Sequence, residues 1–164
     1  MSVASSRYLA VLESVRHKQA GRLFRDFQLC CETGEWLDCA VLKLQKAGWS
    51  DKGMGQGIFY SIWLGEPDIA KGRLNYNLHA LKLGAQKSCG VKPVAFAKAF
   101  RGRFQSKGWP NVSTNYGPQT LMQGWVALSL DTFGRDVWAL IERFVAMHQV
   151  LDELLARGRL RGRD

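Results

Sequence analysis

The sequence predicts an α+β fold, a small antiparallel sheet of three to four strands with helices packed on one side. The expected order is helix, helix, strand, strand, helix, strand, helix. Three observations carry this. Apolar residues recur at helical spacing towards both ends of the chain. Two runs in the middle alternate apolar and polar residues with a period of two. No internal repeat or linker divides the 164 residues, 46% of them hydrophobic, so one core and a single domain over 1–157 are expected.

From Ser5 to about Cys31, Leu9, Leu12, Val15, Leu23, Phe24 and Phe27 form an apolar stripe, and Lys18, Arg22 and Arg25 fall on another face. A long amphipathic helix is expected there. Thr33 as N-cap, the stripe Leu37, Val41 and Leu44, and Gly48 as the left-handed stop then predict a second helix over 35–47. The competing reading is a strand from Trp36 to Leu44, whose alternation would be broken by Ala40, Val41 and Leu42.

Ile58, Tyr60, Ile62 and Leu64 alternate with Phe59, Ser61 and Trp63, and Leu74, Tyr76, Leu78 and Ala80 alternate with Asn75, Asn77 and His79. Joined by GEPDIAKG, the two runs predict an antiparallel hairpin. Grouping the larger apolar side chains on one face sets Tyr60 opposite Leu78, and so Phe59, Ser61 and Trp63 opposite His79, Asn77 and Asn75. Pro93 opens a third helix carrying Phe96, Phe100 and Phe104, stopped by Gly108. LMQGWVALSL predicts a further strand, with Met122 and Val126 on one side and Leu121, Gln123 and Trp125 on the other. The last helix, over 132–157, has the continuous stripe Val137, Ile141, Phe144, His148, Leu151 and Leu155. Beyond it the pattern is lost, and 158–164 is expected to be a basic mobile tail.

The N-terminus MSVASSRYLA has no basic-then-apolar leader, and no apolar run approaches the roughly 18 residues of a membrane span. A soluble, cytoplasmic protein with no membrane partner is expected. Cys30, Cys31, Cys39 and Cys89 contain no CxxC pair, so free thiols are expected rather than a zinc site or disulfide framework. Cys89, with Lys87 and Lys92 nearby, is the one with surroundings that would activate a thiol. His17 is expected in water, and His148 as a satisfied interior histidine. No cofactor or metal is called for. Metal-dependent nucleases of one class use an Asp on one strand and a carboxylate two residues before a Lys on the next. Here Pro67 and Asp68 are followed by Ala80 and Lys82, an alanine standing where the second carboxylate belongs. The glycines of GMGQG lead into a strand, whereas phosphate-binding loops lead from a strand into a helix.

Charge is uneven. The net charge is +9, yet Asp and Glu are missing between Ile69 and Leu130, where nine Lys and Arg lie. Eight of each sign precede this window and six of each follow it, so it holds the whole excess. The first functional expectation is therefore a small basic binding module that engages nucleic acid or another polyanion. Its candidate contacts are Arg73, Lys92, Lys98, Arg101, Arg103 and Lys107. A second is a small enzyme or ligand-binding protein using one sheet face. Phe59, Ser61, Trp63, Asn75 and Asn77 would line that face, Gln123 and Trp125 would join it, and His79 is its candidate general acid or base. A third is a homo-oligomeric interaction protein, a homodimer paired through helix 132–157.

Overall fold

The computed structural model describes residues 1–85 and 90–161. It is an α+β fold built on one five-stranded antiparallel sheet, whose spatial order follows the chain from the first strand to the fifth. In sequence order the elements are α1 (Val3–Phe27), β1 (Leu29–Trp36), β2 (Cys39–Lys46), β3 (Gly57–Leu64), α2 (Glu66–Ala70), β4 (Arg73–Leu81), α3 (Pro93–Arg103), β5 (Thr120–Ala127) and α4 (Phe133–Arg161). α1, α3 and α4 bury their stripes on the same face of the sheet. Leu12 and Leu23, Phe96 and Phe100, and Ile141 and Phe144 join one hydrophobic cluster with Leu44, Tyr60, Tyr76 and Leu78.

The expected hairpin forms in the expected register: Tyr60 lies opposite Leu78, Phe59 opposite His79, Ser61 opposite Asn77 and Trp63 opposite Asn75. Within its connection, Asp68 Oδ2 accepts the Gly65 amide at 2.9 Å and fixes the start of α2. EPD is thus a helix cap.

The expected second helix over 35–47 is replaced by the β1–β2 hairpin, which raises the strand count to five. Two local features hide this hairpin from sequence reasoning. β2 is an interior strand with Ala40, Val41, Leu42, Lys43, Leu44 and Gln45 all buried, so its period of two is not expressed as apolar–polar alternation. Its turn places Leu37 (φ 49) and Asp38 (φ 60) in left-handed backbone, a geometry usually announced by Asn-Gly. α1 ends at Phe27, the last residue of its apolar stripe, and so short of the expected end near Cys31. Gln28 takes the left-handed position (φ 58), and its amide bonds the carbonyls of Leu23 and Phe24.

β5 carries an irregularity that simple alternation misses. Leu78 faces Met122 while His79 faces Thr120, so Leu121 is an inserted residue and is buried alongside Met122. Gly124 lies opposite Tyr76, where an added Cβ would stand 2.4 Å from the Tyr76 hydroxyl. That hydroxyl donates to the Pro110 carbonyl at 2.5 Å and ties the connection before β5 to the sheet. Ser113 then bridges Gln123, so a short segment shields the free edge of β5.

α4 continues as helix through Arg161, where lost periodicity led us to expect a mobile tail from 158. Gly158 sits against Val91, and Arg159 donates to the Gly48 carbonyl at 3.2 Å, so packing carries the helix past its own amphipathic stripe. Residues 162–164 of the expected tail, with Lys87 and Cys89, lie outside the described residues. No helix among the described residues is long and apolar enough to cross a membrane.

Candidate functional site

Antiparallel pairing puts directly opposed residues on the same face. One ladder on the face away from the helices runs Glu32, Lys43, Ser61, Asn77, Gln123 across all five strands. A polar row through the middle of a sheet ought to face open water. Instead Lys43 is only 8% exposed, Ser61 and Asn77 are buried, and so is the neighbouring Phe59. The cover comes from loops and side chains. The β1–β2 turn brings Trp36 and Leu37 over one end, the glycine loop brings Gly55 against them, and Trp63 stands on the next rung. Together they border an open pocket of about 370 Å³.

A directional hydrogen-bond chain lies on its floor. Ser61 Oγ donates to Asn77 Oδ1 at 2.6 Å. Asn77 Nδ2 bonds His79 Nε2 at 2.7 Å, and His79 Nδ1 lies 3.3 Å from the Gln119 carbonyl. The amide can only donate and the carbonyl can only accept, so the ring carries its proton on Nδ1 and is neutral. Burial lowers the His79 pKa first, the Gln119 carbonyl opposes it by favouring the cation, and Lys43 lowers it further. Phe59 packs on the imidazole with ring centroids 5.2 Å apart.

Lys43 was not anticipated from sequence, being one more basic residue in an apparent helix. Its Nζ lies 3.0 Å from the centre of the Trp36 ring and 5.3 Å from that of Phe59. Among the described residues it makes no ion pair: its cross-strand neighbour Glu32 is exposed at the rim. Burial lowers the Lys43 pKa, with Glu32 opposing. Gly55 is a further unanticipated member. With φ +91 it accepts a conformation costly to other residues, and an added Cβ would stand 3.1 Å from Trp36 and 3.4 Å from Lys43 Nζ. The one signal available in sequence was the glycine-rich loop, whose part here is to let an aromatic ring and an ammonium pass close by.

The remaining sequence candidates separate into groups. Phe59, Ser61, Trp63, Asn77, His79 and Gln123 line the pocket. Asn75 and Trp125 lie on the same sheet face further along, opposite each other, with Arg73 stacked over Trp125 at 4.2 Å. Of the six basic candidates, five lie on α3 or in the segments next to it, and Arg73 stands apart from them. Arg73 is on the pocket's side of the sheet, whereas α3, which carries Lys98, Arg101 and Arg103, packs on the helix side. The Arg101 guanidinium donates to the carbonyls of Gly117, Thr120 and Leu121, and Arg103 pairs with Glu153 at 2.7 Å. Lys92, Lys98 and Lys107 are exposed.

His148 is buried, with its ring against Phe27 and Nδ1 on the Val145 carbonyl; Asp152 turns away from it, to Lys46 and to Trp49 Nε1 at 2.8 Å. The stripe of α4 offered for self-pairing is buried against this chain's own sheet. Cys30 is exposed, Cys39 partly so, and burial pushes the Cys31 thiol up to about 12. No group of three or more potential metal ligands occurs among the described residues.

Chemically the floor is suited to recognition. The Ser61 proton points at an amide oxygen, which cannot remove it, and the imidazole nitrogen that would serve as a base is held by Asn77. A serine nucleophile needs that base on its own hydroxyl. Comparison of the chain with known protein families, with curated proteins and with solved structures finds no match in any of the three.

Proposed function

We propose that this protein is a small-molecule binding module whose ligand enters the pocket on the open face of the sheet. One observation carries the reading: a connected polar row, Ser61–Asn77–His79, its first two members buried and the third half-buried, lies on the floor of a pocket walled by Trp36, Phe59 and Trp63. Buried polar groups are costly unless satisfied, and here satisfying them holds donors and acceptors in fixed directions. Flat apolar walls with a few oriented polar groups are the ordinary composition of a small-ligand site. The expected ligand is planar and largely apolar, sandwiched by the aromatic walls and oriented from the floor.

The test is a screen of planar aromatic fragments by tryptophan fluorescence and by amide chemical-shift mapping. The expected result is saturable binding with shifts centred on residues 36–43, 59–63 and 77–79. Shifts centred elsewhere, or no binding across the panel, would overturn the reading.

The polyanion reading has less support. Of its six contacts, Arg101 is engaged by three carbonyls, Arg103 by a carboxylate, and Arg73 lies across the sheet from α3. Heparin retention that resists moderate salt and falls on charge reversal of Lys92, Lys98 and Lys107 would restore it.

A further inference from the structure

Resting on the reading of the pocket as a ligand site, we infer that its ligand carries a single carboxylate, seated on Lys43 Nζ. The charges lining the pocket point one way. Lys43 is the only lining residue with a fixed charge, and no Asp or Glu lines the pocket. Lys43 is 8% exposed as a residue, its ammonium is held over the Trp36 ring, and it makes no ion pair among the described residues. A ring face can take one N–H direction of an ammonium. The other two then have no protein acceptor among the described residues and remain open to a ligand in the pocket. A ligand anion supplies both the counter-charge and the acceptors.

The neighbouring groups fit the same demand. Asn77 spends one N–H on His79 and keeps its second, and Gln123 brings its amide into the pocket on the next strand of the same ladder. A carboxylate, with two oxygens and about four lone-pair sites, can accept from Lys43 Nζ and still take a further donor of the pocket. A phosphate dianion is a poorer match. Sites for it combine several cations or a row of helix N-terminal amides, and this pocket offers one cation and a sheet whose amides are spent in the ladder. The chemical class is thus a monoanionic aromatic carboxylic acid, its ring between Trp36 and Trp63 and its carboxylate at Lys43.

The test uses matched probes on the full chain: indole-3-acetate, indole-3-acetamide and benzoate, with phenylphosphonate as the dianion, titrated against the wild type and Lys43→Met. In the wild type each acid should bind on the order of tenfold or more tighter than its uncharged or dianionic counterpart, the effect of one charge-assisted contact. In Lys43→Met that preference should vanish while binding of the amide is kept. Equal affinity for acid and amide in the wild type, a preference that survives Lys43→Met, or a preference for the phosphonate would each overturn the carboxylate assignment and leave the pocket reading standing. Failure of every probe to bind the wild type would overturn both. The comparison of acid with amide in the wild type does not depend on the variant folding.

Discussion

The two faces of this sheet are built from the same five strands and solve opposite problems. On the helix side, Tyr60, Tyr76 and Leu78 disappear under α1, α3 and α4, and Phe144 stacks on Tyr60 with centroids 4.2 Å apart. That face is stabilised by apolar area and close packing. On the other side no helix packs among the described residues, yet Phe59, Ser61 and Asn77 are as well hidden. Its polar groups are stabilised by one another, and the charge of Lys43 by the ring of Trp36. The helix side is a finished interior, whereas the other keeps an open pocket and an ammonium without an ion pair among the described residues, features intelligible in a binding surface.

Mutations on the two sides should therefore differ in size and, at one position, in sign. The largest effect is expected from Phe144→Ala, which removes a ring packed on Tyr60, Tyr76 and Trp109. It should cost about 3–5 kcal/mol in urea unfolding. A loss below about 1 kcal/mol would show that α4 is not the principal cover of the core.

On the open face, Asn77→Ala should cost about 1–3 kcal/mol, because the Ser61 hydroxyl and the His79 ring lose their buried partner together. An equal cost in a Ser61→Ala background would show that the chain is not coupled. Lys43→Met should do the reverse and raise the melting temperature by roughly 2–4 °C, as about 1 kcal/mol of desolvation is relieved. A fall in scanning calorimetry would mean that the contact with Trp36 is structural after all.

The pH response distinguishes the faces again. The His79 pKa is lowered in the folded state from the ordinary 6.5, chiefly by burial. The unfolded chain thus binds the proton more readily, and stability is complete above pH 6.5 and is lost as the pH falls through the folded value. Unfolding free energies of the wild type and His79→Asn should converge in that acid range. Parallel curves would remove His79 as the source. The smallest effect is expected at Arg103→Ala, whose pairing with Glu153 is at the surface and should be worth about 0.5 kcal/mol or less.

Some of this was legible in advance. The β3–β4 register followed from one constraint, since a slip by one residue would have exchanged Tyr60 and Leu78 for Ser61 and Asn77 in the core. That constraint also grouped Phe59, Ser61, Trp63, Asn77 and His79 on one face. Trp36 and Lys43 could not be placed there, because β2 is buried on both sides and its turn uses Leu37 and Asp38 in place of the residues that normally mark a hairpin. The charge excess was plain in the sequence, whereas the engagement of Arg101 and Arg103 by their own chain was not.

The sequence alone determined the elements whose two sides differ in polarity: α3, α4, the β3–β4 hairpin and the helix-facing core. Periodicity records a contrast between buried and exposed positions, and it is informative wherever that contrast exists. Only the tertiary structure decided what happens where it does not, at the doubly buried β2, at the left-handed turn that swings Trp36 over the sheet, and in the pocket that Lys43 shares with Ser61 and Asn77. Those positions are set by which strands become neighbours, and that is a property of the assembled sheet.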